Sequence, residues 1–215
     1  MIDLVLRTAP FLLEGAATTL WLSVCSIFLA TIFGVPFGIL ASVSTWPVRY
    51  AITTFVFVIR GVPALITIFF IYYALPSWGF DVPNIVAGIV ALTVYGAAFF
   101  AEIVRGGIAS IPQGQSDAGF ALGMMKYRML WFVILPQAVR YATPPYILMA
   151  ARLVRSTSIV YLVGISELTL VAREIVARDN TPFLTLGAAM LIYFALSYPL
   201  SLLGARLERQ HSYVH

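Results

Sequence analysis

The sequence has few charged residues: Asp, Glu, Lys and Arg together make up 10% of its 215 residues. Soluble domains contain about 25% of these residue types, so a surface that faces only water is excluded. Four runs contain no charged residue at all, namely 15–48, 61–80, 82–101 and 180–205. Because a membrane-spanning helix needs about 20 mainly apolar residues, the sequence predicts an integral membrane protein.

Side chains used in catalysis and metal binding are also scarce. The one cysteine, Cys25, lies in the first apolar run, and the two histidines are His211 and His215. The only lysine, Lys126, follows Met125 and therefore does not belong to a GxxxxGK[ST] phosphate-binding loop. These residues cannot form a metal-ligand cluster or a nucleophile–base pair. We predict no catalytic residue, no metal site and no bound cofactor on this chain.

The apolar runs predict five membrane spans in one domain, residues 1–215. The spans are at about 11–43, 50–76, 84–108, 129–167 and 183–206. The fourth is too long for one straight crossing at about 1.5 Å per residue. It contains Pro136, Pro144 and Pro145, which predict a break or kink followed by a second helical piece. Its arginines and hydroxyl residues indicate that it faces protein or an aqueous path.

Charged residues predict the orientation of these spans. One side carries the basic residues Arg49, Arg105, Lys126, Arg128, Arg206 and Arg209, whereas most of the acidic residues lie on the other. By the positive-inside rule the N-terminus is outside and the C-terminus is cytoplasmic. The first segment lacks a basic region and a cleavage site, so it is predicted to be a retained helix. Orientation explains the net charge of +4, and we predict no nucleic-acid partner.

The segment between the third and fourth spans predicts a short cytoplasmic helix at about 113–124. Pro112 and Gly114 interrupt the preceding span, and Gly123 provides a C-terminal stop. Asp117 lies near the predicted start, where a carboxylate suits the helix dipole. One predicted face carries residues at positions i, i+3, i+4 and i+7, namely Ala118, Ala121, Leu122 and Met125. Such a helix suits a groove on a partner or the lipid headgroup region.

Several motifs resemble those of polar-amino-acid-type permeases of ATP-binding-cassette (ABC) importers. Asp117 to Pro136 resembles their EAA loop, although Asp117 and Gly119 replace two of the usual Glu-Ala-Ala letters. Arg60 to Pro63 resembles their Arg-Gly-Thr-Pro. Further matching segments are Gly15–Ser23, Ala101–Ile108, Ile111–Gln115, Leu135–Ala138, Thr157–Ser158 and Gly164. The resemblance covers roughly residues 12–168.

The resemblance implies a type I ABC importer permease fold of five helices in the bacterial inner membrane. It implies a dimer with a second copy or a homologous permease, two ATPase subunits and a periplasmic or extracellular solute-binding protein. It also implies that the cytoplasmic helix docks to the ATPase, so the expected coupling residues are Asp117, Ala118, Ala121, Leu122 and Gly123. Stretch 169–182 is then either a solvated amphipathic helix or a contact for the solute-binding protein.

Arg60 and Glu102 are charges on neighbouring spans at membrane depth. A single charge there costs about 2.5–3.5 kcal/mol on insertion scales, so we expect the two to form a structural pair. Gly61 and Pro63 loosen the helix beside Arg60 and predict a hinge.

The fourth span predicts the kind of solute. Family members often have Lys-Asp where this chain has Arg155-Ser156, and an apolar residue in place of Arg152. Arg152 and Arg155 are three residues apart on one helix, and arginine binds carboxylates bidentately. We therefore expect the solute to be an acidic, neutral or dicarboxylic amino acid rather than a basic one. The alternative is that Arg152 does not bind solute but pairs with an acidic residue of the partner subunit or extends to the membrane–water interface. The predicted path residues are Arg152, Arg155, Ser156, Thr157, Thr67 and Tyr95.

Two other classes of function are compatible with the spans alone. A structural or anchoring subunit of a membrane complex needs spans and no pathway, but it leaves Arg152 and Arg155 unexplained. A membrane-embedded enzyme is disfavoured by the missing catalytic groups.

Overall fold

The computed structural model describes residues 2–212, with side chains for 7–210, and this part of the chain is helical without any strand. Within residues 2–212 nine α-helices follow in order: α1 Ile2–Val43, α2 Trp46–Gly61, α3 Ala64–Ser77, α4 Asn84–Ala109, α5 Gln113–Ala121, α6 Lys126–Met129, α7 Leu135–Ser156, α8 Leu168–Asp179 and α9 Pro182–Ser212. A π-helical segment, Leu130–Ile134, joins α6 to α7, and a 3₁₀ helix, Thr157–Val163, follows α7. The predicted all-helical fold is confirmed.

Four helical stretches within the described residues are long and apolar enough to cross a membrane: Arg7–Val43, Asn84–Ala109, Lys126–Val163 and Pro182–Gln210. The remaining predicted span corresponds to the pair α2 and α3. The chain bends by 114° at the short break between these two helices. The break lies at Val62 and Pro63. Proline lacks an N–H and disfavours helical geometry in the residue before it, so this predicted hinge position is where the helix is interrupted.

Helix α7 is not broken at Pro144 and Pro145, because it continues through both prolines. The irregularity lies near Pro136, the first of the three predicted prolines, where a π-helical segment ends at Ile134. A proline ring clashes with the carbonyl four residues before it, and a π-helical turn is one of the local adjustments that relieve this clash. The second helical piece begins after Ser156 as the 3₁₀ helix, which ends at Gly164 with φ +78°.

Helix α4 lies at the centre of the bundle and packs closely against α1. Gly34 and Gly38 of α1 allow this approach, because a Cβ atom at Gly38 would lie 2.5 Å from the carbonyl oxygen of Ala101. Phe100 of α4 and Leu153 of α7 are fully buried in the same core. Helix α4 therefore presents its remaining, partly exposed face to α2 and to the charged residues described below.

Candidate functional sites

A cluster of charges lies where α2 meets α4. Arg105 donates two hydrogen bonds to Glu102, from Nε at 2.8 Å and from Nη2 at 2.7 Å. Arg60 Nη1 lies 3.2 Å from Glu102 Oε1. One carboxylate therefore serves two guanidinium groups. Arg105, expected only as an orienting charge, is the closer partner, and its position three residues after Glu102 on one helix is the sequence signal for it.

Phe99 connects this cluster to α7. The guanidinium carbons of Arg60 and Arg152 each lie 5.6 Å from the centroid of the Phe99 ring. Cation–π attraction holds an arginine over an aromatic ring at such distances. Arg152 has no ion pair with a carboxylate in the described part of the chain. Arg60 thus contacts both Glu102 and the Phe99 ring, and the ring also contacts Arg152. With Arg105, these groups are three arginines and one glutamate, a net charge of +2.

Arg155 lies in different surroundings from Arg152. It lines a cavity of about 340 Å³ together with Ser158, Thr169 and Tyr193 of the 3₁₀ helix, α8 and α9. The structure therefore does not place the two arginines around one common site. Neighbouring Ser156 is partly exposed, and its hydroxyl donates to the carbonyl of Arg152 at 3.1 Å.

The other predicted path residues are buried within the chain. Thr67 is 4% exposed and Tyr95 is 3% exposed, and Thr157 is fully buried. The Thr67 hydroxyl donates to the carbonyl of Pro63 at 3.4 Å, and that of Thr157 donates to the carbonyl of Val154 at 2.8 Å. Contact of a solute with these three side chains is thus not supported, because packing and local hydrogen bonds already occupy them.

The predicted cytoplasmic helix is α5, which is shorter than expected. It begins after Pro112 and ends at Ala121, with Gly123 in a left-handed conformation at φ +74°. Asp117 is in its middle rather than at its start, so the predicted favourable interaction with the helix dipole is wrong.

The predicted four-residue face of this helix is also incorrect, because Met125 lies beyond its end. Gly119, buried against Met129, is the point at which α5 packs onto the bundle. The remaining predicted coupling residues are exposed, and Leu122 is exposed by 82%. Phe120 and Met125 are also large apolar side chains that are exposed near this end of α5, and several such side chains together suit a protein partner.

Helix α8 is the predicted amphipathic helix. Ala172 and Ile175 are buried, whereas Arg173 and Glu174 are exposed. Arg173 lies 4.8 Å above the ring of Tyr161. At its end Arg178 binds Asp179 through two hydrogen bonds of 2.9 Å, and this contact lowers the pKa of the Asp179 carboxyl.

Comparison with known proteins identifies the family. Residues 34–211 match the family model described as binding-protein-dependent transport system inner membrane component. The chain belongs to this family. The glutamine transport system permease protein GlnP of Escherichia coli (strain K12) is 33% identical over 203 residues, which cover 94% of this chain and 93% of GlnP. The arginine transport system permease protein ArtQ of Bacillus subtilis (strain 168) is 32% identical over 203 residues, covering 94% and 92%.

A solved structure gives the same result for the fold. The crystal structure of an amino acid ABC transporter with histidines contains a chain that is 28% identical, with a TM-score of 0.88 and coverage of 96% of each chain. The predicted type I ABC importer permease fold is confirmed, as is the inner-membrane, multi-pass localisation. Members of this family are permease subunits, and ATP hydrolysis belongs to a separate subunit.

Proposed function

We propose that this chain is the permease subunit of an ATP-driven importer for amino acids or similar solutes, and that it forms half of the translocation path. The observation that carries this proposal is the family match over 34–211, in a chain whose α5 leaves Asp117 and Leu122 exposed for a partner. The N-terminus lies outside and the C-terminus lies in the cytoplasm, so α5 is on the cytoplasmic side.

The remaining partners follow from this role. Helix α5 docks to one of two ATPase subunits, and a second copy or a homologous permease completes the path. Exposed Arg173 and Glu174 on α8, on the opposite side, are the contact for a solute-binding protein outside the membrane. Membrane lipid surrounds the exposed apolar side chains of α9, such as Phe183 and Met190.

The solute has at least one carboxylate and is acidic, neutral or dicarboxylic rather than basic. The support is the charge balance of this cluster, in which Arg60 and Arg105 share the single carboxylate of Glu102 while Arg152 lies over the Phe99 ring. Within residues 7–210 Arg152 forms no ion pair with a carboxylate. Because a guanidinium group binds carboxylates well, it is available for the carboxylate of a solute. The named relatives include permeases for glutamine and for arginine, so membership of the family alone does not select between neutral and basic solutes.

The test is reconstitution of the purified permease with its ATPase and solute-binding protein in liposomes. We expect ATP-dependent uptake of a labelled amino acid that requires the binding protein. A permease that co-purifies with other membrane proteins but not with an ATPase, and that supports no uptake, would instead be an anchoring subunit. A panel of glutamate, glutamine and arginine as competitors then defines the solute class.

A further inference from the structure

A cavity of about 530 Å³ lies next to α5. Its walls come from the end of α1, the start of α2, the end of α4, and α5 with the segment that follows it. Its polar lining consists of two basic residues and three hydroxyl residues, namely Arg49, Lys126, Ser42, Ser116 and Tyr127. The described residues that line it include no carboxylate.

Both basic residues lack an acidic partner within residues 7–210. Arg49 donates hydrogen bonds only to main-chain oxygens, those of Ser44 at 3.1 Å and Ser42 at 3.5 Å. Lys126 is exposed and forms no ion pair with a described carboxylate. Two positive charges that face one cavity without a neutralising group favour an anion between them.

An apolar groove adjoins this cavity. Ile108 lines both the basic cavity and a second one of about 520 Å³, whose walls come from α1, α4 and α7 with the π-helical segment. Apolar residues such as Val35, Ile39 and Val104 dominate this groove. A positively charged cavity beside an apolar groove suits an amphiphile with an anionic headgroup better than it suits a soluble anion.

Aromatic pairs mark the level of the basic cavity. The rings of Trp46 and Tyr50 stack with centroids 5.6 Å apart, and Arg49 lies between them in the sequence. On the other wall Tyr127, which follows Lys126, lies 6.2 Å from Trp131. Tryptophan and tyrosine concentrate at the boundary between membrane and water. The cavity therefore lies at the level of lipid headgroups.

We propose that these two adjoining cavities bind one anionic phospholipid. Its phosphate lies between Arg49 and Lys126, and one acyl chain follows the groove past Ile108. Basic pockets between membrane helices bind anionic headgroups in this way. On the proposed topology the lipid belongs to the cytoplasmic leaflet. Because Ser116 and Phe120 of α5 line the same cavity, the bound lipid contacts the helix proposed to dock to the ATPase and supports its position.

The experiment measures retained lipid by native mass spectrometry of the purified complex of permease and ATPase. The complex is mixed with equal amounts of phosphatidylglycerol and phosphatidylethanolamine, and we expect selective retention of phosphatidylglycerol. Each basic residue near a membrane surface is worth about fivefold in affinity, so R49Q/K126Q lowers retention about 30-fold. The control R128Q/R206Q removes the same charge from two exposed positions outside the cavity and keeps the wild-type preference.

A second variant tests the space rather than the charge. Ser116→Trp fills the cavity while leaving Arg49 and Lys126 in place, and it is expected to lower phosphatidylglycerol retention as well. This variant also provides the test if R49Q/K126Q does not fold.

Three outcomes would overturn the proposal. The first is an equal loss in R128Q/R206Q, which would indicate general surface attraction. The second is displacement by glycerol 1-phosphate as effective as by short-chain phosphatidylglycerol, which would identify a soluble phosphate as the ligand. The third is retention only after removal of the ATPase, which would assign the cavity to that subunit. Solute uptake is not the readout, so this test is independent of the proposed transport function.

Discussion

Thr19 and Glu167 are 148 residues apart in the chain and hydrogen-bond in its interior, where Thr19 Oγ1 donates to Glu167 Oε2 at 3.3 Å. The same carboxylate begins α8, since Oε1 accepts hydrogen bonds from the N–H groups of Thr169 at 2.8 Å and Leu170 at 3.1 Å. The hydroxyl of Tyr193 in α9 also donates to it. Glu167 is fully buried, so a single carboxyl group joins α1, α8 and α9.

Replacement of Glu167 by alanine is expected to destabilise the protein. It removes the cap of α8 and leaves buried donors on three helices without an acceptor, which costs about 1–3 kcal/mol. Glu167→Gln keeps an oxygen that accepts hydrogen bonds from the N–H groups of Thr169 and Leu170. This variant is therefore expected to lose much less stability than Glu167→Ala. Thermal unfolding in detergent measures the difference. Equal melting temperatures for Glu167→Ala and wild type would contradict this account.

The same carboxyl predicts a pH dependence of stability. Burial raises the pKa of Glu167 above its ordinary value of 4.5, against the opposing effect of the hydrogen bonds from Tyr193, Leu170 and Thr169. The folded chain therefore holds this proton more tightly than the unfolded chain. Its contribution to stability is complete below the ordinary pKa and is lost as the pH rises through the raised one. Relative to wild type, Glu167→Gln should therefore gain melting temperature as the pH rises above the ordinary pKa of this carboxyl group.

The second prediction concerns the charges around Glu102. Because this carboxylate neutralises both Arg60 and Arg105, Glu102→Met should lower stability by about 1–2 kcal/mol for these partly exposed groups. Arg60→Met should lower stability less, because Arg105 keeps its two hydrogen bonds to Glu102. Adding Arg60→Met and Arg105→Met to Glu102→Met should restore part of the loss. Strictly additive losses in melting temperature would show that the three groups are not coupled.

The number of spans could be predicted because apolar runs of about 20 residues have few alternative uses. The interruption at Val62 and Pro63 could be predicted as well, because the effect of proline on its helix is local. The continuous path of α7 through Pro144 and Pro145 could not, because neighbouring helices decide whether a proline breaks a helix inside a membrane protein.

Apart from the ion pair of Arg60 with Glu102, contacts between distant segments were the part that the sequence did not reveal. Glu167 is only the last residue of the predicted fourth span, and the packing of α1 and α9 shows it to be buried. Phe99 likewise acquires a role only because α2 and α7 place an arginine each against its ring. By contrast, Arg105 was expected only as an orienting charge, although it follows Glu102 by three positions on one helix, a spacing from which their contact could have been predicted.

The third prediction concerns the close contact of α1 and α4. Gly38→Ala would place a methyl group 2.5 Å from the carbonyl oxygen of Ala101 and 2.6 Å from Val104 Cβ. The two helices must then separate, at a cost of about 1–3 kcal/mol. Gly106→Ala is the matched control, because a Cβ atom at this helical position meets nothing within 4 Å. A melting temperature of Gly38→Ala as high as that of Gly106→Ala would contradict the packing described here.

The fourth prediction tests the proposed docking of α5. Asp117→Lys reverses an exposed charge in the middle of this helix, so the protein should insert and fold normally. It should lose the ATPase during purification, or hydrolyse ATP without uptake. Asp81→Lys makes the same change in the exposed α3–α4 connection and should leave coupling intact. Normal uptake and normally stimulated ATPase activity in Asp117→Lys would count against α5 as the coupling helix.

The last prediction concerns the solute. If the Arg152 guanidinium over Phe99 binds the solute carboxylate, Arg152→Gln should reduce uptake of glutamate or glutamine about tenfold or more, the usual value of a charge-assisted hydrogen bond. Arg155→Gln is the internal control, because Arg155 lines a separate cavity with α8 and α9 and should change uptake little. Uptake is measured across acidic, neutral and basic amino acids. Efficient arginine or lysine transport by the wild type, or undiminished uptake of acidic solutes in both variants, would show that the excess positive charge serves another purpose, such as pairing with an acid of the second permease.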